Sequence, residues 1–256
     1  MQKLIWLFAS LLMATLLAAC APESKPGLLT DSGEDGEDVE EETAEEVIEF
    51  VALCEKPGLS AAVSATIKVL LEATETESCE DAAAVIVEEK SIDLTEMKVQ
   101  DIEPILVFKS LRYLYLSGTG VSLEQAGQLV LLYNLEVLDL SANGLSSVPE
   151  LPVRIAKLDL SDNRIVDVGG ALKNLTVLTQ LSLRQSPVPR LSALPSSLNA
   201  LDIGATPAER DARNLPVLKS LKNLKELYLT RKTTAEKLRQ TFPALGFVLD
   251  KPLAIE

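Results

Sequence analysis

Few residues of this 256-residue chain could carry bond-making chemistry. Histidine is absent, which removes Ser-His-Asp and Cys-His nucleophilic catalysis, imidazole metal ligands and the usual neutral-pH proton shuttle. The three cysteines are Cys20, Cys54 and Cys79; none stands in a Cys-x-x-Cys pair, the spacing that depresses a thiol pKa for redox work. Eleven acids and no base lie between Asp31 and Glu49, so the rest of the chain has a net charge of -3 against -14 for the whole. Around Gly33 and Gly36 those acids miss the register of a calcium-binding loop, which favours a solvated spacer over loose divalent-ion binding. No Lys/Arg cluster is dense enough to neutralise phosphates, so no nucleic-acid partner is expected. The remaining polar candidates, Asp139, Asp159, Asp202, Arg184, Tyr113, Tyr115 and Tyr228, are spread singly along the chain. Such a set suits contact with a partner rather than a converged active site; no catalytic residue, metal or cofactor is assigned, and no enzyme is expected.

The elements that must position these residues come from a repeat. An apolar-x-apolar phrase recurs as Ile92-Asp93-Leu94, Leu114-Tyr115-Leu116, Leu138-Asp139-Leu140, Leu158-Asp159-Leu160, Leu181-Ser182-Leu183, Leu201-Asp202-Ile203 and Leu227-Tyr228-Leu229, at intervals of 22, 24, 20, 23, 20 and 26 residues. Self-similarity at this period marks a solenoid. The fuller phrase Leu-x-x-Leu-x-Leu-x-x-Asn-x-Leu stands at residues 135–145, and Leu158 to Ile165 closely follows it. The chain from about Ile92 to Leu249 thus resembles leucine-rich repeat proteins. Two 20-residue coils with Pro149-Glu150-Leu151-Pro152 and Leu194-Pro195 resemble the short bacterial repeat type. Some secreted effectors with that repeat carry a ubiquitin-ligase domain with a nucleophilic Cys, but no Cys follows Cys79 here.

The resemblance implies an α/β fold: a solenoid with one short parallel strand per coil on its concave face, outer leucines turned inward and the residue between them turned out. Asn143 and Asn163 are expected to turn inward as an asparagine ladder. The ladder place is held by Met97, Thr119, Ser186, Thr206 and Lys232 in the other coils, a departure from the family phrase. Longer coils at residues 122–133 and 215–224 have room for a helical turn on the convex side. Residues 233–240, Pro243 and residues 247–249 resemble a closing helix and edge strand, with Pro252 discouraging further pairing.

Ahead of the repeat, Lys3 precedes an apolar run from Leu4 to Ala19, too short to span a bilayer and suited to an export signal. Leu17-Ala18-Ala19-Cys20 resembles the lipobox of bacterial lipoproteins. That resemblance implies a lipidated Cys20, a membrane anchor through its acyl chains (palmitate among them) and a place in the bacterial cell envelope. Ala21 after the Cys implies the outer membrane. An exported chain then has Cys54 and Cys79 as an even pair, expected to form a disulfide across helical segments. The expected organisation is a signal peptide at 1–19, an acidic disordered tether at 20–46 and a helical, disulfide-stapled N-terminal cap at 47–90. The solenoid and its closing cap follow at 91–249, then a tail at 250–256. Functionally, this describes a lipid-anchored module that binds a protein ligand through its concave face; the alternative is an envelope spacer without a specific partner.

Overall fold

The structure is a computed structural model that describes residues 37–255, residues 169 and 193 aside, with side chains from Thr43 onward. The signal peptide, Cys20 and the first part of the tether lie outside the described residues. The repeat folds as one parallel sheet in chain order: β1 (Ser91–Asp93), β2 (Tyr113–Tyr115), β3 (Val137–Asp139), β4 (Lys157–Asp159), β5 (Gln180–Ser182), β6 (Ala200–Asp202), β7 (Glu226–Leu229) and β8 (Gly246–Leu249). Pairing is in phase throughout. Ile92, Leu114, Leu138, Leu158, Leu181, Leu201, Leu227 and Phe247 stand in one row. The seven leading aliphatics of that row are at most 3% exposed, as are their partners two positions on, from Leu94 to Leu229. Each side chain so buried contributes about 1.5–3 kcal/mol of hydrophobic stabilisation, which is why an interior almost without aromatics suffices.

Each coil must turn sharply after its strand, and in the first five coils the turn is built identically. Glu96, Gly118, Ala142, Asp162 and Gln185 all have positive φ, between 53° and 66°. Each of these residues donates its amide to a carbonyl of the following coil: Glu96 to Ser117, Gly118 to Ser141, Ala142 to Ser161, Asp162 to Arg184 and Gln185 to Gly204. Five stacked left-handed residues, only one a glycine, show that coil-to-coil hydrogen bonding outweighs the local cost of that conformation, about 1–2 kcal/mol per residue.

The asparagines turn inward as expected. Asn143 Oδ1 accepts from the Gly120 and Val121 amides at 2.8 and 3.1 Å, and its Nδ2 donates to the Leu116, Leu140 and Ser141 carbonyls. Asn163 repeats this one coil on, accepting from Asn143 and Leu145 and donating to Leu140, Leu160 and Ser161. Where the phrase departs, hydroxyls take over the carbonyl side: Thr119 donates to Leu116, Ser186 to Leu160 and Thr206 to Ile203. The far end uses a buried carboxylate instead. Glu209 accepts from the amides of Ala205, Thr230 and Arg231 and from the Thr230 hydroxyl, tying the sixth coil to the seventh.

Three helices form the N-terminal cap: α1 (Glu37–Glu55), α2 (Ala61–Ala73) and α3 (Cys79–Glu89). Ser60 and Ser78 cap α2 and α3 by accepting from the Val63 and Asp81 amides, each at 3.1 Å. Cys54 and Cys79 are bonded, joining α1 to the start of α3. The expected tether boundary at residue 46 needs correction, because α1 already runs from Glu37. The cause is distant in sequence: Glu46 is buried, with both carboxylate oxygens 2.5 Å from the Ser110 amide and hydroxyl, and Phe50 packs on Phe108 at 5.0 Å. Once these anchors fix the helix, extending it upstream is cooperative. Thr66 of α2 is also buried and accepts from the Gln100 and Asp101 amides, seating the cap on the first coil.

Return segments follow coil length. Short helices α4 (Glu103–Leu106), α5 (Leu123–Gln128, with a Ser122/Gln125 capping box) and α6 (Leu215–Ser220) occupy longer coils. The two 20-residue coils, whose prolines lack an amide to donate, run without helix at residues 147–156 and, residue 193 aside, 187–198. Helix α7 (Lys232–Thr241) and β8 close the solenoid. Among the described residues no helix is long and apolar enough to cross a membrane.

Candidate functional site: the concave face and the segment across it

The outward column of the sheet runs Asp93, Tyr115, Asp139, Asp159, Ser182, Asp202, Tyr228, and beside it Ser91, Tyr113, Val137, Lys157, Gln180, Ala200, Glu226. Strands at about 4.8 Å spacing make this face about 30 Å wide, enough for a protein interface. The column aspartates first serve the backbone. Asp93, Asp139, Asp159 and Asp202 each accept the amide two residues on, from Thr95, Ser141, Ser161 and Gly204, at 2.7–2.9 Å. Such a side-chain turn ends the strand and aims the chain into the left-handed corner. Leu-Asp-Leu is therefore a structural phrase, and Asp139 and Asp159 offer a partner what remains of their carboxylates.

Burial pushes the Asp159 carboxyl up to about 6; hydrogen bonds from Ser161 and Ser182 pull it down, and neighbouring Asp139 pushes it up again. Asp202 is also raised by burial, against the pull of the Gly204 and Leu253 amides and the Arg184 guanidinium. The Tyr228 hydroxyl, raised by burial, donates to Glu226 at 2.8 Å.

The segment after β8 is the unexpected part of the site. Rather than trailing off as a tail, residues 251–255 cross the concave face without ladder pairing, as Pro252, which lacks an amide to donate, favours. Leu253 donates its amide to Asp202 Oδ2 at 3.0 Å, and the Lys251 carbonyl accepts from Arg184 Nη1 at 3.3 Å. Arg184 lies 3.6 Å from Asp202, whose side chain is 0% exposed. Gly204 makes room: a Cβ there would lie 2.6 Å from Arg184 Nη1 and 3.0 Å from Asp202 Oδ1. Leu253 and Ile255 are buried to 6% and 8% exposure in one apolar cluster with Val137 and Ala200, against which Tyr113, Tyr115 and Tyr228 pack. Val137 and Ala200 are three strands apart, about 14 Å at sheet spacing, so the two aliphatic side chains of the crossing segment supply the link between them.

Two of the residues expected to meet a partner, Arg184 and Asp202, thus have partners within the chain, and the three tyrosines rim an apolar seat that is already filled. Sequence reasoning placed the three tyrosines on this face but missed Leu253 and Ile255. The available signal was their spacing of two, which puts both side chains on one side of an extended segment.

In-phase parallel coils with inward leucines, an inward Asn and a helix-capped end define a leucine-rich repeat solenoid. The Leucine Rich Repeat family model matches residues 134–153, the coil that begins with β3. Among solved structures the chain is similar to an internalin (inlF) from Listeria monocytogenes, at 15% identity and TM-score 0.46, over 77% of this chain and 70% of that one. It is also similar to an LRR protein from Leptospira interrogans, at 24% identity and TM-score 0.38, over 56% of this chain and 38% of that one. TLR13, in its complex with ssRNA13, is similar at 17% identity and TM-score 0.36, over 58% of this chain and 30% of that one. The chain spans well under half the length of the latter two. A comparison with curated proteins finds no match.

Proposed function

We propose that this protein is a lipid-anchored leucine-rich repeat module of the bacterial cell envelope that binds another protein through its concave face. The observation that carries the binding role is the apolar seat of Val137 and Ala200 rimmed by Tyr113, Tyr115 and Tyr228, which already accommodates polypeptide. Tyrosine edges around an apolar centre, with a half-buried Arg184 beside the buried Asp202, are the composition of an interface centre. The anchor rests on the lipobox-like Leu17-Ala18-Ala19-Cys20 and on the disulfide between Cys54 and Cys79, which suits an oxidising compartment; Ala21 favours the outer membrane.

Proximity labelling from the full chain in the native cell tests both parts. A discrete set of neighbours lost on changing Tyr113 and Tyr115 to Ala supports recognition, whereas an unchanged set favours an envelope spacer. Metabolic labelling with a palmitate analogue is expected to mark the chain and to vanish in Cys20→Ser; labelling that persists in the variant would remove the anchor.

A further inference from the structure

We propose that the concave face is a receptor for an extended peptide segment of apolar-x-apolar pattern, and that residues 251–255 occupy it in cis as a displaceable stand-in. The inference rests on the reading of the concave face as a binding surface and names the partner's chemistry. Everything the crossing segment uses is generic to an extended polypeptide. One backbone amide is taken by Asp202 Oδ2, one backbone carbonyl by Arg184 Nη1, and two side chains spaced by two fill the Val137/Ala200 seat. The only side-chain identity demanded is aliphatic character at the places of Leu253 and Ile255.

The contacts are also those of a segment that can leave. It makes no ladder with the sheet, and its polar anchors are a single amide to Asp202 and a single carbonyl to Arg184. Held by its connection to β8, it competes at the high effective concentration of a short intramolecular link, of millimolar order. A partner segment of the same pattern must outcompete it, so the face stays covered until a ligand of sufficient affinity or local concentration arrives.

The test uses a fluorescent synthetic peptide with the sequence of residues 250–255, Asp-Lys-Pro-Leu-Ala-Ile, titrated to millimolar concentration and read by anisotropy. Three proteins are compared: the full chain, the full chain with Leu253→Glu and Ile255→Glu, and a chain ending at Leu249. The last two free the seat by independent means, so a folding failure in one leaves the other. Folding is checked by circular dichroism, and release by faster exchange of the backbone amide at position 253 in the doubly substituted chain than in the parent. At least roughly tenfold tighter peptide binding is expected once the seat is free. Adding Val137→Glu should abolish it, a change the fold accepts because Lys157 and Gln180 stand at the same column in the next strands. Folded, seat-free protein that binds the peptide no better than the full chain, or binding indifferent to Val137→Glu, would overturn the proposal. If the peptide fails while the labelled neighbours still depend on Tyr113 and Tyr115, this inference falls alone and recognition by the concave face stands.

Discussion

Asp159 carries a buried charge on the concave face. Its carboxyl is raised by burial from 3.8 to about 6, so the folded state holds the proton more tightly than the unfolded chain does. The sign follows from linkage: ionising this group costs nothing below about pH 4, the penalty builds between pH 4 and 6, and above that it is fully present. Asp159→Asn keeps an oxygen for the Ser161 amide and removes the charge. The variant is expected to be more stable than the parent by about 2 kcal/mol at pH 7.5, with the gain fading towards pH 4; urea titrations at both pH values read it, and a gain equal at both would refute the burial argument. Asn163 works in the opposite sense. Asn163→Ala takes the side-chain acceptor from the Asn143 and Leu145 amides and one donor from the Leu140, Leu160 and Ser161 carbonyls, which keep others, and should cost about 3 kcal/mol, measured in the same titration. Asn163 and Asn143 were legible because the repeat phrase reserves a place for them. The left-handed corners at Glu96, Ala142 and Gln185 were not, because nothing in those side chains asks for positive φ; the demand comes from a carbonyl on the next coil.

At the scale of elements, legibility tracked whether the cause was local. The seven strands and their phase could be read off because period-2 alternation and a recurrent interval are properties of the sequence itself. Coil length likewise distinguished helical returns from extended ones. The start of α1 was misplaced because its anchors, Glu46 on Ser110 and Phe50 on Phe108, span about sixty residues. Glu209 went unnoticed for the same reason, as its amide partners at Thr230 and Arg231 lie on the next coil. The staple between α1 and α3 was readable from cysteine count once export was assumed, and its effect can be measured. Replacing Cys54 and Cys79 together by Ser restores the entropy of a loop with sequence separation 25 and is expected to lower stability by about 3.5 kcal/mol on the chain-entropy model. Hydrogen exchange should place the loss first in α1 and α3 and spare β4 to β6; uniform loss across the sheet would mean the cap folds as one unit with every coil.

For the molecule as a whole, a solenoid has a characteristic weakness: each coil touches only its neighbours, so stability is a chain of nearest-neighbour terms and ends can fray independently. The segment that crosses the concave face breaks that rule. By linking Val137 of β3 to Ala200 of β6 and holding Arg184 and Asp202 on the way, it joins coils that the sheet alone connects only through intermediates. Leu253 and Ile255, spaced by two but lying beyond the last copy of the phrase, belong to no repeat, so this connection could not be foreseen from the repeat itself. Its consequence is a gain in cooperativity beyond the area it covers. With Leu253→Glu and Ile255→Glu the midpoint of urea unfolding should fall, and the transition should also broaden, with a smaller denaturant slope as the coils from β3 to β6 begin to open separately. Amides of those strands, expected to exchange through one common opening in the parent, should then spread into distinct free energies. A lower midpoint with an unchanged slope and a single exchange class would mean that the segment merely adds contacts and that cooperativity resides in the stacked coils alone.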